Sequence, residues 1–167
     1  MTLLGEFALW ISLPVALWGM VLGYAGGRTQ RGDLVLSAER SVYAVFLLLA
    51  LASSGVVAAF LGDRFEYWYV ANYSNRELEL FYKVPGLWAG RRGSLLFWAL
   101  LLGFFSSLAV FMNRAKSREF MPYVAGVLQT ILAFFIVVLL FADVNPFEQL
   151  GFTPANGRGL NPQLQNY

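Results

Sequence analysis

The sequence predicts an all-α integral membrane protein with four transmembrane helices. Four apolar stretches each approach the roughly 20 residues that a helix needs to cross a bilayer, and 58% of the chain is hydrophobic. The 12 basic and 10 acidic residues lie almost entirely between these stretches. Each stretch is continuously apolar, whereas a barrel strand would alternate at every second residue. We therefore expect a single membrane domain over residues 1–167.

The four predicted helices cover about residues 3–24, 42–61, 94–112 and 122–142. No basic segment precedes the first helix, and its nearest arginines, Arg28 and Arg31, follow it. This pattern indicates a retained helix and not a cleaved signal peptide. An external loop, 63–93, then joins the second and third helices, and an external tail, 143–167, follows the fourth.

The charges of the connectors predict how the helices are oriented. The short connectors at 25–41 and 113–121 are basic, whereas the much longer 63–93 loop has four acidic residues beside its five basic ones. Short cytoplasmic loops carry an excess of Lys and Arg. We therefore expect the two short connectors in the cytoplasm, and the 63–93 loop and both termini on the opposite, periplasmic side.

Small residues recur at helical spacing in the first two predicted helices, and such residues allow two helix backbones to approach closely in lipid. They are Gly19, Gly23, Gly27, Ala52, Gly55 and Ala59. Packing within one bundle is the favoured interpretation, and an interface with a partner's helix is the alternative.

The composition argues against several classes of function. The chain has no cysteine, so we expect no disulfide, thiolate nucleophile or Cys-ligated metal or cluster. It also has no histidine, and we predict neither a catalytic residue nor a metal ligand in it. The net charge of +2 is small and dispersed, which does not indicate a nucleic-acid partner. Glu6 and Asp143 lie only at the ends of predicted helices. An ion channel or transporter would need several polar groups at membrane depth, so the sequence does not indicate either.

Aromatic residues are concentrated in the predicted external loop, where eight occur between residues 65 and 88. They are Phe65, Tyr67, Trp68, Tyr69, Tyr73, Phe81, Tyr82 and Trp88. Anchoring at the membrane interface accounts for some of them. We expect an extended segment over 66–74 and a turn at Val84-Pro85-Gly86. An exposed aromatic surface fits either a flat apolar ligand or the edge of another subunit, and the residues alone do not rank the two.

Two groups of motifs lie in the predicted external loop and in the predicted external tail. The first comprises Tyr69-Val70-Ala71, Ser74-Asn75, Tyr82-Lys83, Trp88-Ala89-Gly90 and Gly93-Ser94-Leu95-Leu96 with Trp98. The second comprises Asn145-Pro146-Phe147, Leu150, Pro154, Gly157, Leu160-Asn161-Pro162, Leu164 and Gln165. Together they resemble the cytochrome c haem lyase family, the large haem-handling membrane proteins of cytochrome c maturation. The resemblance extends over essentially the whole chain but only about the first quarter of the family's usual length.

The resemblance implies a role in the covalent attachment of haem during cytochrome c biogenesis in the bacterial inner membrane. Family members take haem from a periplasmic haem chaperone and join its vinyl groups to the cysteine thiols of apocytochrome c. The family's tryptophan-rich haem motif and its histidines lie beyond the matched region. Because histidine ligation commonly fixes haem iron, we expect the axial ligands to come from another polypeptide or a missing remainder. This chain alone is then not catalytic.

The resemblance also implies site residues. Tyr82 and Trp88 are candidates to pack beside haem or apocytochrome c. Trp88, Gly90, Gly93 and Ser94 are expected to shape the turn into the third helix, where glycine permits the close approach of a large planar ligand. For each residue alone, packing between loop and helix is an equal alternative.

Three further residues, Asn161, Pro162 and Gln165, are expected to position the following segment and to contact a partner, which is the remainder of the lyase or another maturation subunit. The family often has an acidic residue before its Gly-Ser, where this chain has Arg91-Arg92. These arginines are interpreted as a solvated pair, with contact to a haem propionate or an acidic partner as the alternative.

A second hypothesis for the whole chain is a non-catalytic structural subunit of a respiratory or photosynthetic membrane complex that has kept the family fold. A neighbouring polypeptide that begins near an Ile-His-Pro-Pro segment would favour the haem lyase.

Overall fold

The computed structural model describes residues 1–114 and 118–159. In this part of the chain, four helices are long and apolar enough to cross a membrane, as the sequence predicted. Two short helices and a 3-10 helix lie between the second and third long helices. The elements are α1 Thr2–Thr29, α2 Gly32–Leu61, α3 Trp68–Tyr73, α4 Leu80–Lys83, the 3-10 helix Val84–Trp88, α5 Arg91–Asn113 and α6 Met121–Phe141.

The first connector is much shorter than predicted. α1 continues to Thr29 and α2 begins at Gly32, so most of the expected connector at 25–41 is helical. Gln30 ends α1 in the left-handed conformation, with φ 53°, which reverses the chain within two residues. The prediction was wrong because hydropathy reports only the apolar part of a helix, and a helix can continue past it. All other long-helix ends lie within three residues of their predicted positions.

The long helices pack as one bundle in which α1 and α5 each contact both α2 and α6. Glycines mark the closest approaches. A Cβ atom added to Gly55 would lie 2.8 Å from the Cα atom of Gly5, and one added to Gly23 would lie 2.7 Å from the Cα atom of Gly126. The favoured interpretation of the small residues, packing within the bundle, is therefore confirmed at Gly23 and Gly55.

Inside the bundle, a polar contact joins α6 to α2. Gln129 is fully buried, and its Nε2 donates a hydrogen bond to Ser41 Oγ at 2.8 Å. Interhelical hydrogen bonds of this kind add to van der Waals packing in lipid. Large aromatic side chains such as Trp18, Trp98 and Phe105 point outward and are about 60% exposed.

One end of the bundle is covered by residues 62–90 and 143–159, which we call the cap. Tyr67 and Gln149 form an isolated antiparallel bridge. The extended segment expected over 66–74 is wrong, because Trp68–Tyr73 is helical and this turn buries Tyr69 and Val70. The turn expected at 84–86 is part of the 3-10 helix.

The loop is not the uniformly exposed aromatic surface that the sequence suggested. Phe65, Tyr67 and Tyr69 are buried, at 1%, 2% and 0% exposure. By contrast, Phe81 and Trp88 are exposed. The cap therefore has an aromatic core of its own and a separate aromatic surface.

Candidate functional site at the capped end

Tyr69 connects the parts of the cap. Its side chain is completely buried. The hydroxyl donates a hydrogen bond to the Gly86 carbonyl at 2.9 Å and accepts one from the Gly90 N–H at 2.9 Å. Burial raises the pKa of Tyr69 well above the usual value for tyrosine, so the hydroxyl keeps the proton that it donates. One side chain on α3 thereby fixes the backbone that leads into α5.

The glycines at this junction make room for tyrosine rings. A Cβ atom on Gly93 would overlap the Leu87 carbonyl oxygen and lie 2.5 Å from the Tyr69 hydroxyl oxygen. A Cβ atom on Gly90 would lie 2.5 Å from the Tyr73 ring. The space beside both glycines is therefore filled by the chain's own residues, and a role of Gly90 and Gly93 in haem binding stays a prediction.

Ser94 holds the first turn of α5. Its Oγ donates a hydrogen bond to the Trp88 carbonyl at 3.0 Å, and its backbone N–H donates to the Gly90 carbonyl at 2.9 Å. Four of the five predicted haem-site residues, Trp88, Gly90, Gly93 and Ser94, thus lie together at this turn. Ser94 acts here on the backbone of its own chain.

The segment before the turn carries its apolar side chains outward. We call this surface the aromatic strip, and it comprises Leu80, Phe81, Tyr82, Val84 and Trp88, all between 43% and 79% exposed. Lys83 lies among them but is only 4% exposed. The Lys83 Nζ donates to Asp63 Oδ1 at 2.6 Å. Because its one cation points inward, the strip presents an apolar surface to its surroundings.

Arg92 joins the start of α5 to the tail. The guanidinium donates to the Asn145 carbonyl at 2.9 Å, pairs with the Glu148 carboxylate and lies 4.1 Å from the centroid of the Trp68 ring. Arg92 is 9% exposed, so its interpretation as a solvated residue is wrong. The tail provides the counter-charge, and a haem propionate is not required to balance it. Arg91 is exposed, as interpreted.

The tail returns to α3 through backbone hydrogen bonds. Four of these bonds connect the two parts of the cap: Trp68 N to Glu148 O, Leu150 N to Glu66 O, Arg158 N to Ala71 O and Gly159 N to Ser74 O, at 2.7–3.1 Å. The predicted partner-binding residues Asn161, Pro162 and Gln165 lie outside the described residues. The chain that leads to them is held against α3 as far as Gly159.

Sequence reasoning missed the two residues that organise the site, Tyr69 and Arg92. Tyr69 belongs to one of the motifs that carry the family resemblance, as do Gly90 and Gly93, and the structure brings these three motif residues into contact. The presence of Tyr69, Gly90 and Gly93 in the same group of motifs was the sequence feature that could have identified Tyr69. For Arg92 the only signal was its position directly before Gly93.

The aromatic strip is the exposed apolar surface of this site. Within residues 1–114 and 118–159, no group of three or more His, Cys, Asp or Glu side chains is arranged to hold a metal ion. A chain without histidine or cysteine lacks the most common axial ligands of haem iron.

The fold and the site together define a polytopic helical membrane protein with a hydrogen-bonded cap at one end of its bundle. No protein-family profile matches the chain. It is 34% identical to the cytochrome c-type biogenesis protein ccl1 of Rhodobacter capsulatus over 162 residues, which are 97% of this chain and 25% of that protein. It is also 34% identical to the cytochrome c-type biogenesis protein NrfE of Haemophilus influenzae over 164 residues, 98% of this chain and 26% of the relative.

A solved structure, that of the cytochrome c heme lyase CcmF, matches with a TM-score of 0.79 and 27% identity, over 89% of this chain and 25% of that one. Over nearly its whole length the chain is therefore similar to cytochrome c haem lyase and cytochrome c biogenesis proteins, and it spans about a quarter of the length of the relatives that it matches. The printed names of these three proteins concern cytochrome c biogenesis or haem ligation, and none of the three names a respiratory or photosynthetic complex.

Proposed function

We propose that this chain is the N-terminal membrane module of a cytochrome c haem lyase and helps to form the site where haem is joined to apocytochrome c. The observation that carries the proposal is the match of nearly the whole chain to a solved cytochrome c heme lyase. The chain supplies scaffold and an apolar surface. The axial histidines come from another polypeptide or from further sequence, because this chain has none.

The aromatic strip is the surface that we assign to haem or to the apocytochrome. Tyr82 and Trp88 are about half exposed, and aromatic faces of this kind pack well against a planar apolar ligand. The backbone around Trp88 is held by the Tyr69 hydroxyl, which bonds to Gly86 and Gly90, and by Ser94, which bonds to the Trp88 carbonyl. Gly90, Gly93 and Ser94 therefore act as positioning residues that keep the strip in one place. Haem, when bound, would supply the vinyl groups of the reaction.

We assign the cap to the periplasmic side of the bacterial inner membrane. α2 ends and α5 begins in the cap, and the basic residues of the short connectors lie at the opposite end of these helices, which the positive-inside rule assigns to the cytoplasm. A periplasmic haem chaperone and apocytochrome c would then approach the same surface. Asn161, Pro162 and Gln165 are proposed to contact the remainder of the lyase.

Affinity purification of the chain from its native membranes in mild detergent, followed by mass spectrometry, tests this proposal. We expect recovery of a histidine-bearing haem lyase polypeptide, or of peptides that continue past Tyr167. An unrelated helical membrane protein, tagged and expressed at the same level, is the control for non-specific capture. Recovery with a respiratory or photosynthetic assembly instead would contradict the proposal.

A further inference from the structure

The end of the bundle opposite the cap contains a charged cavity between the start of α2 and the end of α5. Its volume is about 580 Å³, and Leu36, Glu39, Arg114 and Arg118 are among the residues that line it. A volume of several hundred Å³ accommodates a small ligand or a lipid headgroup. The cavity is distant from the cap and has no part in the function proposed above.

Glu39 gives the cavity its negative side. It is only 9% exposed although it lies near the polar end of α2. The ion pairs within 4.0 Å that residues 1–114 and 118–159 form do not include Glu39. The charges of Arg114 and Arg118 act on Glu39 from a distance, but a mostly buried carboxylate is costly until a hydrogen-bond donor contacts it directly. A ligand with a positive group that donates hydrogen bonds would do so.

Arg114 and Arg118 give the cavity its positive side. Both are exposed, and the Arg114 guanidinium lies 5.1 Å from the centroid of the Phe111 ring, a contact that orients it. Guanidinium groups bind phosphate oxygens through two parallel hydrogen bonds. The cavity thus has adjacent sites for an anion and for a cation.

We propose that this cavity binds the headgroup of an aminophospholipid, with its phosphodiester on Arg114 and Arg118 and its primary ammonium on Glu39. A zwitterionic headgroup carries both charges in one molecule and matches both sides of the cavity. Leu36 is 44% exposed at the same place and offers an apolar contact for the acyl chains. Basic pockets between transmembrane helices recognise lipid headgroups in this way, and the buried carboxylate adds selectivity for a primary amine.

The test is the thermal unfolding of the purified 167-residue chain in detergent micelles that contain increasing amounts of one added phospholipid. We expect phosphatidylethanolamine to bind about tenfold more tightly than phosphatidylcholine, which is the effect of about one charge-assisted hydrogen bond. Phosphatidylcholine is the matched control because its methylated ammonium has no hydrogen to donate. Phosphatidylglycerol, which has no amine, should also bind about tenfold more weakly.

Variants of the charged residues test which side of the cavity binds the ammonium and which binds the phosphodiester. Glu39→Gln should abolish the preference for phosphatidylethanolamine over phosphatidylcholine, and the Arg114→Gln/Arg118→Gln double variant should weaken binding of all three lipids. Arg40→Gln, which changes an exposed charge beside Glu39, should behave as the unmodified chain. Circular dichroism of each variant confirms that its helices are intact.

Several results would overturn the proposal. Equal binding of phosphatidylethanolamine and phosphatidylcholine to the unmodified chain would do so without any variant, as would equal binding of phosphatidylglycerol. Full lipid preference in Glu39→Gln would remove the assigned role of the carboxylate. Soluble phosphoethanolamine is the final arm, and stabilisation by it equal to that by the lipid would indicate a site for a free phosphoester.

Discussion

The bundle and the cap are held together by different interactions. In the bundle, helices approach until backbone atoms of Gly23 and Gly126 leave no room for a side chain. In the cap, packed aromatic side chains and the backbone bonds to the tail are joined by hydrogen bonds from side chains, above all from Tyr69 and Arg92, to backbone carbonyls. Lipid provides no hydrophobic force between helices, so association there depends on close packing. The bundle should therefore be most sensitive to added volume, and the cap to lost hydrogen bonds.

The largest effect is expected at Gly93, where bundle and cap meet. Gly93→Leu adds a side chain that overlaps the Leu87 carbonyl and the Tyr69 hydroxyl. We expect the free energy of unfolding to fall by more than about 3 kcal/mol. The measurements are thermal unfolding in detergent and the amount of mature c-type cytochrome in cells. Gly151→Leu is the control, because a Cβ atom at Gly151 has no neighbour within 4 Å. Full cytochrome maturation with Gly93→Leu would contradict a functional role of this turn.

A smaller effect is expected inside the bundle. Gly23→Ala places a Cβ atom 2.7 Å from the Gly126 Cα atom, so α1 and α6 must move apart, at a cost of about 1–3 kcal/mol. Gly103→Ala, whose nearest contact would be 3.4 Å, is the matched control. Denaturant unfolding in micelles measures both. Equal stability of the two variants would show that close approach of α1 and α6 does not stabilise the bundle.

Removal of the Tyr69 hydroxyl should lower the free energy of unfolding of the cap by about 1–3 kcal/mol. Tyr69→Phe leaves the Gly90 N–H and the Gly86 carbonyl without their partner. Hydrogen exchange of the Gly90 amide is the direct measurement, and we expect faster exchange. Tyr82→Phe removes a hydroxyl from an exposed side chain and should leave that amide unchanged. Slow exchange in both variants would contradict the role of Tyr69.

The same residue predicts a dependence on pH. The pKa of Tyr69 is raised by burial in the folded chain, so the folded state holds this proton more tightly than the unfolded state does. Its contribution to stability is complete below the ordinary tyrosine pKa of about 10 and falls as the pH rises above it. Above about pH 10, the free energy of unfolding of the unmodified chain should fall more steeply with pH than that of Tyr69→Phe. Parallel pH profiles would contradict this assignment.

The smallest effect in this series is expected at Arg92. Arg92→Ala removes the pair with Glu148, the bond to Asn145 and the contact with Trp68. Because Glu148 is half exposed, we expect the free energy of unfolding to fall by about 1–2 kcal/mol. We also expect a smaller loss of cytochrome maturation than Gly93→Leu causes. Arg91→Ala, at an exposed position, should be neutral. A variant Arg92→Ala as stable as Arg91→Ala would show that the tail is held by its backbone bonds alone.

The same contrast explains what the sequence could predict. The four spans were predictable because an apolar run of sufficient length reports directly on the bilayer. The first ten residues of α2 were not, because polar helical residues beyond the membrane give no hydropathy signal. Within the bundle, the glycine spacing in α1 was informative because packing in lipid depends on local residue size.

In the cap, the decisive contacts join residues that are distant in sequence. Tyr69 bonds to a carbonyl 17 residues away, and Arg92 pairs with a carboxylate 56 residues away. No local pattern distinguishes the buried Tyr69 from the exposed Tyr82, since both lie in the same aromatic-rich loop. Only the family motifs that contain Tyr69, Gly90 and Gly93 indicated that these residues belong together.

The central claim is that a rigid cap presents Tyr82 and Trp88 to the haem attachment reaction. The most direct measurement is haem staining of c-type cytochromes in cells that carry the Tyr82→Ala/Trp88→Ala double variant, with quantification of the chain in the membrane. Both side chains are about half exposed, so we expect normal amounts of the chain and at least about tenfold less covalently bound haem, the effect of losing one apolar contact surface. Undiminished haem attachment at normal chain levels would contradict the claim.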